Sequence, residues 1–389
     1  MAVSRSRPLR VLTLVDGTHG GAESIALQIA THLDRDRFEP IFCVSRHQSP
    51  EAFEAAAELL AAAGVPLLRL ERRSRTSLRP WASLVSQIRE RGVDVVHAHK
   101  FGSNAWGALL APLAGGPVLV AHEHGWSFEG QPLRRFVDRE LIGRRADAFV
   151  AVSRQDLRRM HEVEGIPEAM LRLIPNGIPT PTPDPAADVR AELGLRPDQP
   201  VLGAVATLWP EKALDVLLRA AASLCGDFPG LAVLLAGGEG EAVDGGHSPE
   251  RQRLAGIAEE LGIASQVHFL GRRADVPEVL AALDVAVLCS NSEGSPLAVM
   301  EYMEAARPVV ATRVGGVPDL VEEGVTGLLV EPQDPAGLAA AIATLLADPE
   351  RRAEMGRAGR ERRRREFSIE GTVGALEQLY EGLHARRAR

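Results

Sequence analysis

The sequence predicts an α/β protein built from two doubly wound domains, each a parallel sheet covered by helices on both faces. Two observations carry that expectation. Short runs rich in Val, Ile and Leu recur along the 389 residues, separated by longer segments of helical periodicity. Near-continuous apolar strands alternating with helices assemble into buried parallel sheets. The alternation also occurs twice, on either side of a stretch from Pro175 to Pro185 that is too rich in proline for a helix or a central strand.

In the first series the strand runs are 9–15, 41–44, 66–70, 93–98, 118–121 and 148–152, with helices expected over 23–33, 51–62 and 78–91. In the second series the runs are 201–207, 232–236, 267–270, 285–288, 308–311 and 327–330. The domain boundaries follow: 1–178 for the first domain, 179–199 for the linker, 200–365 for the second domain and 366–389 for a C-terminal helix. That helix carries Val373, Leu376, Leu379, Tyr380 and Leu383, enough apolar surface to pack back on the first domain. Open sheets of this kind take ligands beyond their strand C-terminal ends, so a cleft between two facing domains is the expected site.

Composition narrows the class. Hydrophobic content of 45% and charged content of 25% are those of an ordinary soluble globular chain. No apolar run reaches the roughly 18 residues a membrane helix needs. The basic N-terminus runs straight into a strand, without the features of a signal peptide. Three scattered cysteines in apolar settings suggest thiols in a reducing compartment, so a cytoplasmic location is expected. Residues 1–180 hold 23 Lys+Arg against 20 Asp+Glu, and the remainder 21 against 32. The acidic total argues against nucleic acid as a partner. Basic clusters at Arg69 to Arg79 and Arg134 to Arg145 leave two readings of the first domain, a peripheral contact with anionic lipid or a solvated arginine-rich face.

The chemistry is expected at strand ends. After the run 285–288 comes Cys289-Ser-Asn-Ser-Glu-Gly-Ser-Pro-Leu-Ala-Val-Met-Glu301. Ser295 reads as an N-cap and Pro296 as the first helical residue, so the amides of Leu297 and Ala298 would face an anion such as phosphate. Glu293 before the helix and Glu301 about two turns into it can accept hydrogen bonds from hydroxyls, which together fit a sugar nucleotide. The plainer reading is a capped core helix with two solvated glutamates.

Other stations are less specific. Val15-Asp-Gly-Thr-His-Gly-Gly-Ala-Glu-Ser24 is a glycine-rich turn before a helix, but Gly17, Gly20 and Gly21 do not fit a dinucleotide fingerprint. His97 and His99 share one side of a strand end. They read as a polar cleft wall in preference to a metal site, for want of a third ligand at a convincing spacing. His122, Glu123 and His124 follow the next strand and could bond a sugar hydroxyl or transfer a proton. Lys100 and Lys212 are the only lysines in a chain otherwise committed to arginine, and Lys212 after a strand end suits a phosphate. Gly237 allows close backbone approach, 241–249 reads as a loop, and the turn at Arg272 could meet a nucleobase edge.

These residues resemble a known family. Ser292-Glu-Gly-Ser-Pro-Leu-Ala-Val-Met-Glu301 is similar to the E-x7-E motif of the retaining glycosyltransferases of family four, which have the GT-B fold of two Rossmann-like domains. Trp209-Pro-Glu-Lys212, Phe269-Leu-Gly-Arg272, Gly315-Gly-Val-Pro-Asp319 and Gly327-Leu-Leu-Val-Glu331 match that donor domain in order. Gly20-Gly-Ala-Glu23, Asp94-Val-Val-His-Ala-His99 and Glu123-His-Gly125 match its partner domain.

The resemblance implies transfer of a hexose from a UDP- or GDP-sugar to an acceptor hydroxyl, lipid-linked or on a polysaccharide, with no metal and no cofactor beyond the nucleotide-sugar co-substrate. It assigns donor-sugar hydroxyls to Glu293, ribose to Glu301, the diphosphate to Leu297, Ala298 and Lys212, and an unspecified donor contact to Gly294 and Ser295. Gly20, Gly21, Thr207, Gly237 and Arg272 would also border the donor. His124 would sit near the reacting carbon as a catalytic residue beside Glu293, and Glu23, His97 and His99 would meet the acceptor. The chain departs from the family at Thr207, where a basic residue is usual, at Ala213 for glycine and at Pro179 for aspartate. An inert nucleotide-sugar-binding protein and an epimerase of the same fold are the alternative readings.

Overall fold

The computed structural model describes residues 7–18, 20–46, 50–70, 72, 78–125, 131–238, 249–387 and 389. The predicted loop at 241–249 falls outside them apart from Pro249, as do His19, Trp126 and much of the basic segment from Arg69 to Arg79. The chain divides into two units, residues 1–179 with 368–389, and residues 180–367.

Unit 1 carries a seven-stranded parallel sheet. Its strands are β1 (Leu9–Val15), β2 (Phe38–Val44), β3 (Leu67–Arg69), β4 (Val95–His99), β5 (Val118–Glu123), β6 (Ala148–Ala151) and β7 (Leu171–Leu173), in the order β3-β2-β1-β4-β5-β6-β7. Alternate side chains point to opposite faces of a strand. Accordingly, Leu12 and Leu14 of β1 join Val96, Leu119 and Phe149 on one face, while Val15 joins Phe42, Val44 and Leu60 on the other. Both faces are dry, which is why these strands read as continuous apolar runs. β7 escaped the sequence reading because a three-residue edge strand, Leu-Arg-Leu, has no period to detect.

The C-terminal helix Ile369–Arg387 belongs to unit 1, in keeping with the docking its apolar residues predict. Tyr380 is fully buried, Glu377 pairs with Arg37 at 2.8 Å, and Arg387 pairs with Asp147 at 2.7 Å. A bridge between Ile178 and Ser368 brings the returning chain to the end of the first series.

Unit 2 carries β8 (Val201–Val205), β9 (Ala232–Ala236), β10 (Val267–Gly271), β11 (Val285–Leu288), β12 (Val309–Thr312) and β13 (Gly327–Val330), all parallel, in the order β10-β9-β8-β11-β12-β13. Residues 180–199 pack with this unit. They include a short helix, Val189–Glu192, N-capped by Asp188, from which Arg190 reaches Asp284 at 2.9 Å. The helix Pro349–Glu366 buries Arg363 against Glu304 at 3.2 Å, an inward charge held by its opposite.

Candidate active site

In each sheet the strand order reverses once, between β1 and β4 in unit 1 and between β8 and β11 in unit 2. At such a switch point the loops leaving neighbouring strands diverge to opposite faces and open a crevice at the strand C-terminal ends. The two predicted stations fall at these two points, and each holds one of the chain's two lysines in an ion pair.

In unit 2, Lys212 after β8 meets Glu293 after β11. Its Nζ lies 2.7 Å from Glu293 Oε1, and Ser290 Oγ donates to the same oxygen at 2.6 Å. Glu293 is nearly buried, with 10% of its side chain exposed against 28% for Lys212. The pair joins positions 81 residues apart. The loop holding Glu293 is clamped from below, because Gly315 has φ +54° and a Cβ there would fall on the Glu293 carbonyl oxygen. The turn Gly315-Gly316 therefore touches the backbone of this loop.

The helix that follows spans Leu297–Glu304. The expectation that Ser295 caps it and Pro296 begins it is corrected. Pro296, extended at φ −69° and ψ 119°, occupies the N-cap, and Ser295 Oγ is buried with no hydrogen-bond partner among the described residues. Proline fixes its own φ near −65° but leaves ψ free, so it serves as the half-in residue as readily as the first turn. Leu297 and Ala298 consequently become the first two helical residues, whose amides have no intrahelical acceptor and carry the positive end of the dipole. Tyr302, one turn on, bonds the Val205 amide at 2.8 Å and ties this helix to the end of β8. Burial pushes the Glu301 carboxyl above the usual range.

The other residues expected to border the donor lie on neighbouring strand ends of the same sheet. Gly237, at the end of β9, receives a Cβ-less close approach from the Ala206 carbonyl and donates its amide to Gly271 at 2.8 Å. Thr207, Gly237 and Arg272 are thus adjacent turns after β8, β9 and β10, with Thr207 and Arg272 exposed and Gly294 half-buried beside Glu293. Ala213, where the family has glycine, is left-handed at φ 47°. A left-handed residue with a Cβ costs about 1–2 kcal/mol, so the position retains a conformation suited to glycine.

In unit 1, Gly20 at φ 115° is the N-cap and Gly21 the first residue of the helix Gly21–His32. Glu23, predicted to meet the acceptor, is buried in that first turn and pairs with Lys100 Nζ at 2.8 Å. Lys100 is itself left-handed, at φ 68°.

His97 and His99, expected as a polar cleft wall, lie fully buried in unit 1. Both have no exposed area, because they project from the central strand β4 into a layer closed by β5 and the C-terminal helix. They join His122 and the half-buried His124 of β5 and the loop after it. His97 Nε2 lies 3.0 Å from His122 Nδ1, His99 Nδ1 lies 2.8 Å from His124 Nε2, and Tyr380 Oη lies 2.7 Å from His97 Nδ1. Burial holds the His97, His99 and His124 rings well below the ordinary imidazole range, and lowers His122 to about 3. Sequence spacing concealed the third histidine. It lies 25 residues away, brought close by the β4–β5 register, which sets His99 beside His122. The neighbouring Glu123 carboxyl, bonded by Asn104 at 2.7 Å, is pushed well up by burial and by Asp138.

A parallel-sheet pair with a helix N-terminus, a lysine and a buried carboxylate at a switch point defines a class of protein built to hold phosphorylated ligands. Comparison with known proteins makes the class specific. The family model described as "Glycosyl transferases group 1" matches residues 186–362, and "Glycosyltransferase Family 4" matches 19–181. A D-inositol 3-phosphate glycosyltransferase of Corynebacterium jeikeium is 34% identical over 77% of this chain and 75% of its own. A GDP-mannose-dependent alpha-(1-6)-phosphatidylinositol monomannoside mannosyltransferase of Mycolicibacterium smegmatis is 35% identical over 75% of this chain and 78% of its own. Among solved structures, Anabaena HepE in complex with UDP and glucose superposes with a TM-score of 0.84 at 25% identity, covering 96% of this chain and 100% of that one. The chain belongs to the family four, group 1 glycosyltransferases, and it is a glycosyltransferase of the GT-B fold.

Proposed function

We propose that the protein transfers a hexose from a UDP- or GDP-sugar to an acceptor hydroxyl with retention of anomeric configuration and without a metal at the diphosphate. Unit 2 binds the donor and unit 1 the acceptor. The observation that carries this reading is the station where Lys212, Glu293 and the N-terminus of the helix Leu297–Glu304 meet at one switch point. An ammonium and helix-terminal amides stabilise the charge that develops on a departing diphosphate, a role a cation would otherwise fill. Glu293 and Glu301 supply hydroxyl acceptors for the sugar and the ribose. The departing phosphate oxygen takes the acceptor proton as the new bond forms on the face the nucleotide leaves. His124 of unit 1 is assigned a catalytic part in the transfer.

The relatives support a nucleotide-sugar donor, since one is named for GDP-mannose and the Anabaena structure holds UDP. Their named acceptors are inositol phosphate and a phosphatidylinositol mannoside, in keeping with a polar or lipid-linked acceptor. Contact with anionic lipid is part of the proposal. Leu133 and Phe136 are 75% and 56% exposed beside Arg135, although no helix among the described residues is long and apolar enough to cross a membrane.

The test is a thermal-shift screen against UDP, GDP, ADP, TDP and their sugar conjugates in metal-free buffer. A ligand at 100 times its dissociation constant stabilises by about 2.7 kcal/mol. A shift for one base, larger with one sugar, followed by turnover on an acceptor, supports the reading. No shift with any nucleotide overturns it. A shift with no turnover on any acceptor favours the inert binding protein, the reading that the exposed Thr207 in place of a basic residue keeps open.

A further inference from the structure

The histidine cluster of unit 1 lies outside the diphosphate chemistry, and its geometry has a use of its own. We propose that His97, His99 and His122 form a binding site for one divalent transition-metal ion of the zinc type. Each offers one ring nitrogen, and the three nitrogens lie within 4.8 Å of one another. Zinc–imidazole bonds of about 2.0–2.1 Å hold such nitrogens roughly 3.3 Å apart, so small ring movements close the set. The His97 Nε2 to His122 Nδ1 distance of 3.0 Å is already in that range.

Two features point to an ion rather than to packing alone. A metal-bound histidine hands its other N–H to a fixed acceptor, which sets its tautomer. His97 and His99 both have that partner in place on Nδ1, Tyr380 Oη at 2.7 Å and His124 Nε2 at 2.8 Å, which directs their Nε2 atoms to the remaining side. Moreover, His99 Nε2, the nitrogen its Nδ1 contact leaves to face the ion, is buried with no hydrogen-bond partner among the described residues. A buried polar atom left unpaired is destabilising, and coordination gives this one a partner.

The donor set selects the ion. Three neutral nitrogens with no carboxylate suit Zn2+, Co2+, Ni2+ or Cu2+, not Mg2+ or Ca2+, which require oxygens. Three histidines also leave a fourth position for water. The ion would tie β4 to β5 and, through Tyr380, to the helix Ile369–Arg387.

The experiment uses the full chain, stripped with chelator and titrated with Zn2+ by calorimetry and with Co2+ by visible absorption. One ion per chain and the d–d bands of a nitrogen-ligated, four-coordinate cobalt are expected. His122→Phe, which keeps a ring in place, should abolish both. Tyr380→Phe, which keeps the packing and removes only the acceptor, should weaken binding 10- to 100-fold. Absence of stoichiometric binding would overturn the proposal and leave the cluster a ladder of hydrogen-bonded neutral imidazoles. Wild-type binding by His122→Phe would also overturn it, by placing the ion on other histidines. If His122→Phe does not fold, the Tyr380→Phe affinity decides. Because the readout is ion bound and not sugar transferred, failure leaves the glycosyltransferase reading untouched.

Discussion

Replacing Glu293 with glutamine isolates one charge at the donor station. The side chain keeps its volume, and Ser290 Oγ at 2.6 Å can still donate to the amide oxygen. What goes is the ion pair with Lys212 at 2.7 Å and the capacity to accept strongly from a sugar hydroxyl. Lys212 is 28% exposed and can turn to water, so the fold should lose only about 1 kcal/mol. A hydrogen bond to a charged partner contributes about 1.5–3 kcal/mol, so each one lost to the transition state lowers kcat/KM roughly 10- to 150-fold. The nucleoside diphosphate alone should bind as well as before or better, since the ammonium no longer divides itself between carboxylate and phosphate. Paired assays read this: turnover with donor and acceptor, and thermal shift with nucleotide against nucleotide-sugar. Unchanged turnover would refute the assignment of Glu293 to the sugar. Loss of the shift with nucleotide alone would refute the division of labour between Glu293 and Lys212.

Other perturbations follow from the same geometry. Lys212→Met should lower kcat about 10²- to 10³-fold and shrink the nucleotide shift, the scale set by removing one stabiliser of developing charge, as steady-state kinetics would show. Gly315→Ala places a methyl on the Glu293 carbonyl in a left-handed backbone, and should cost about 1–3 kcal/mol by thermal denaturation while also lowering turnover. Asp138, wholly buried with neither oxygen bonded among the described residues, has its carboxyl raised from 3.8 to about 8 by burial and by Glu164. Because the folded state holds that proton more tightly than the unfolded chain, its stabilisation is full below about pH 4 and is lost as pH rises through 8. Asp138→Asn should therefore melt higher than the parent at pH 8 and lose that advantage toward pH 4; a gain that grows on acidification would contradict the sign.

Much of this molecule is local, and the local part is legible in the chain. Strands covered by helices on both faces read as near-continuous apolar runs, so β1, β9, β11 and β13 stand in the sequence at the residues where they fold. The helix Leu297–Glu304 declares itself through a strand, a glycine and a proline in sequence, although the cap fell on Pro296 and not on Ser295. The chain likewise marks the two series, the proline-rich join and the last helix, because each depends on composition within a few turns. What only tertiary structure decided is which side chains meet across strands. Lys212 finds Glu293 from 81 residues away, and Lys100 finds Glu23 from 77, because strand order reverses beside β1 and β8. His97, His99 and His122 converge because parallel register lays β4 against β5, and Tyr380 reaches them because the final helix returns to unit 1. Periodicity fixes which face of a strand a residue occupies, but register and crossover fix its neighbours, and those depend on the packing of the whole sheet.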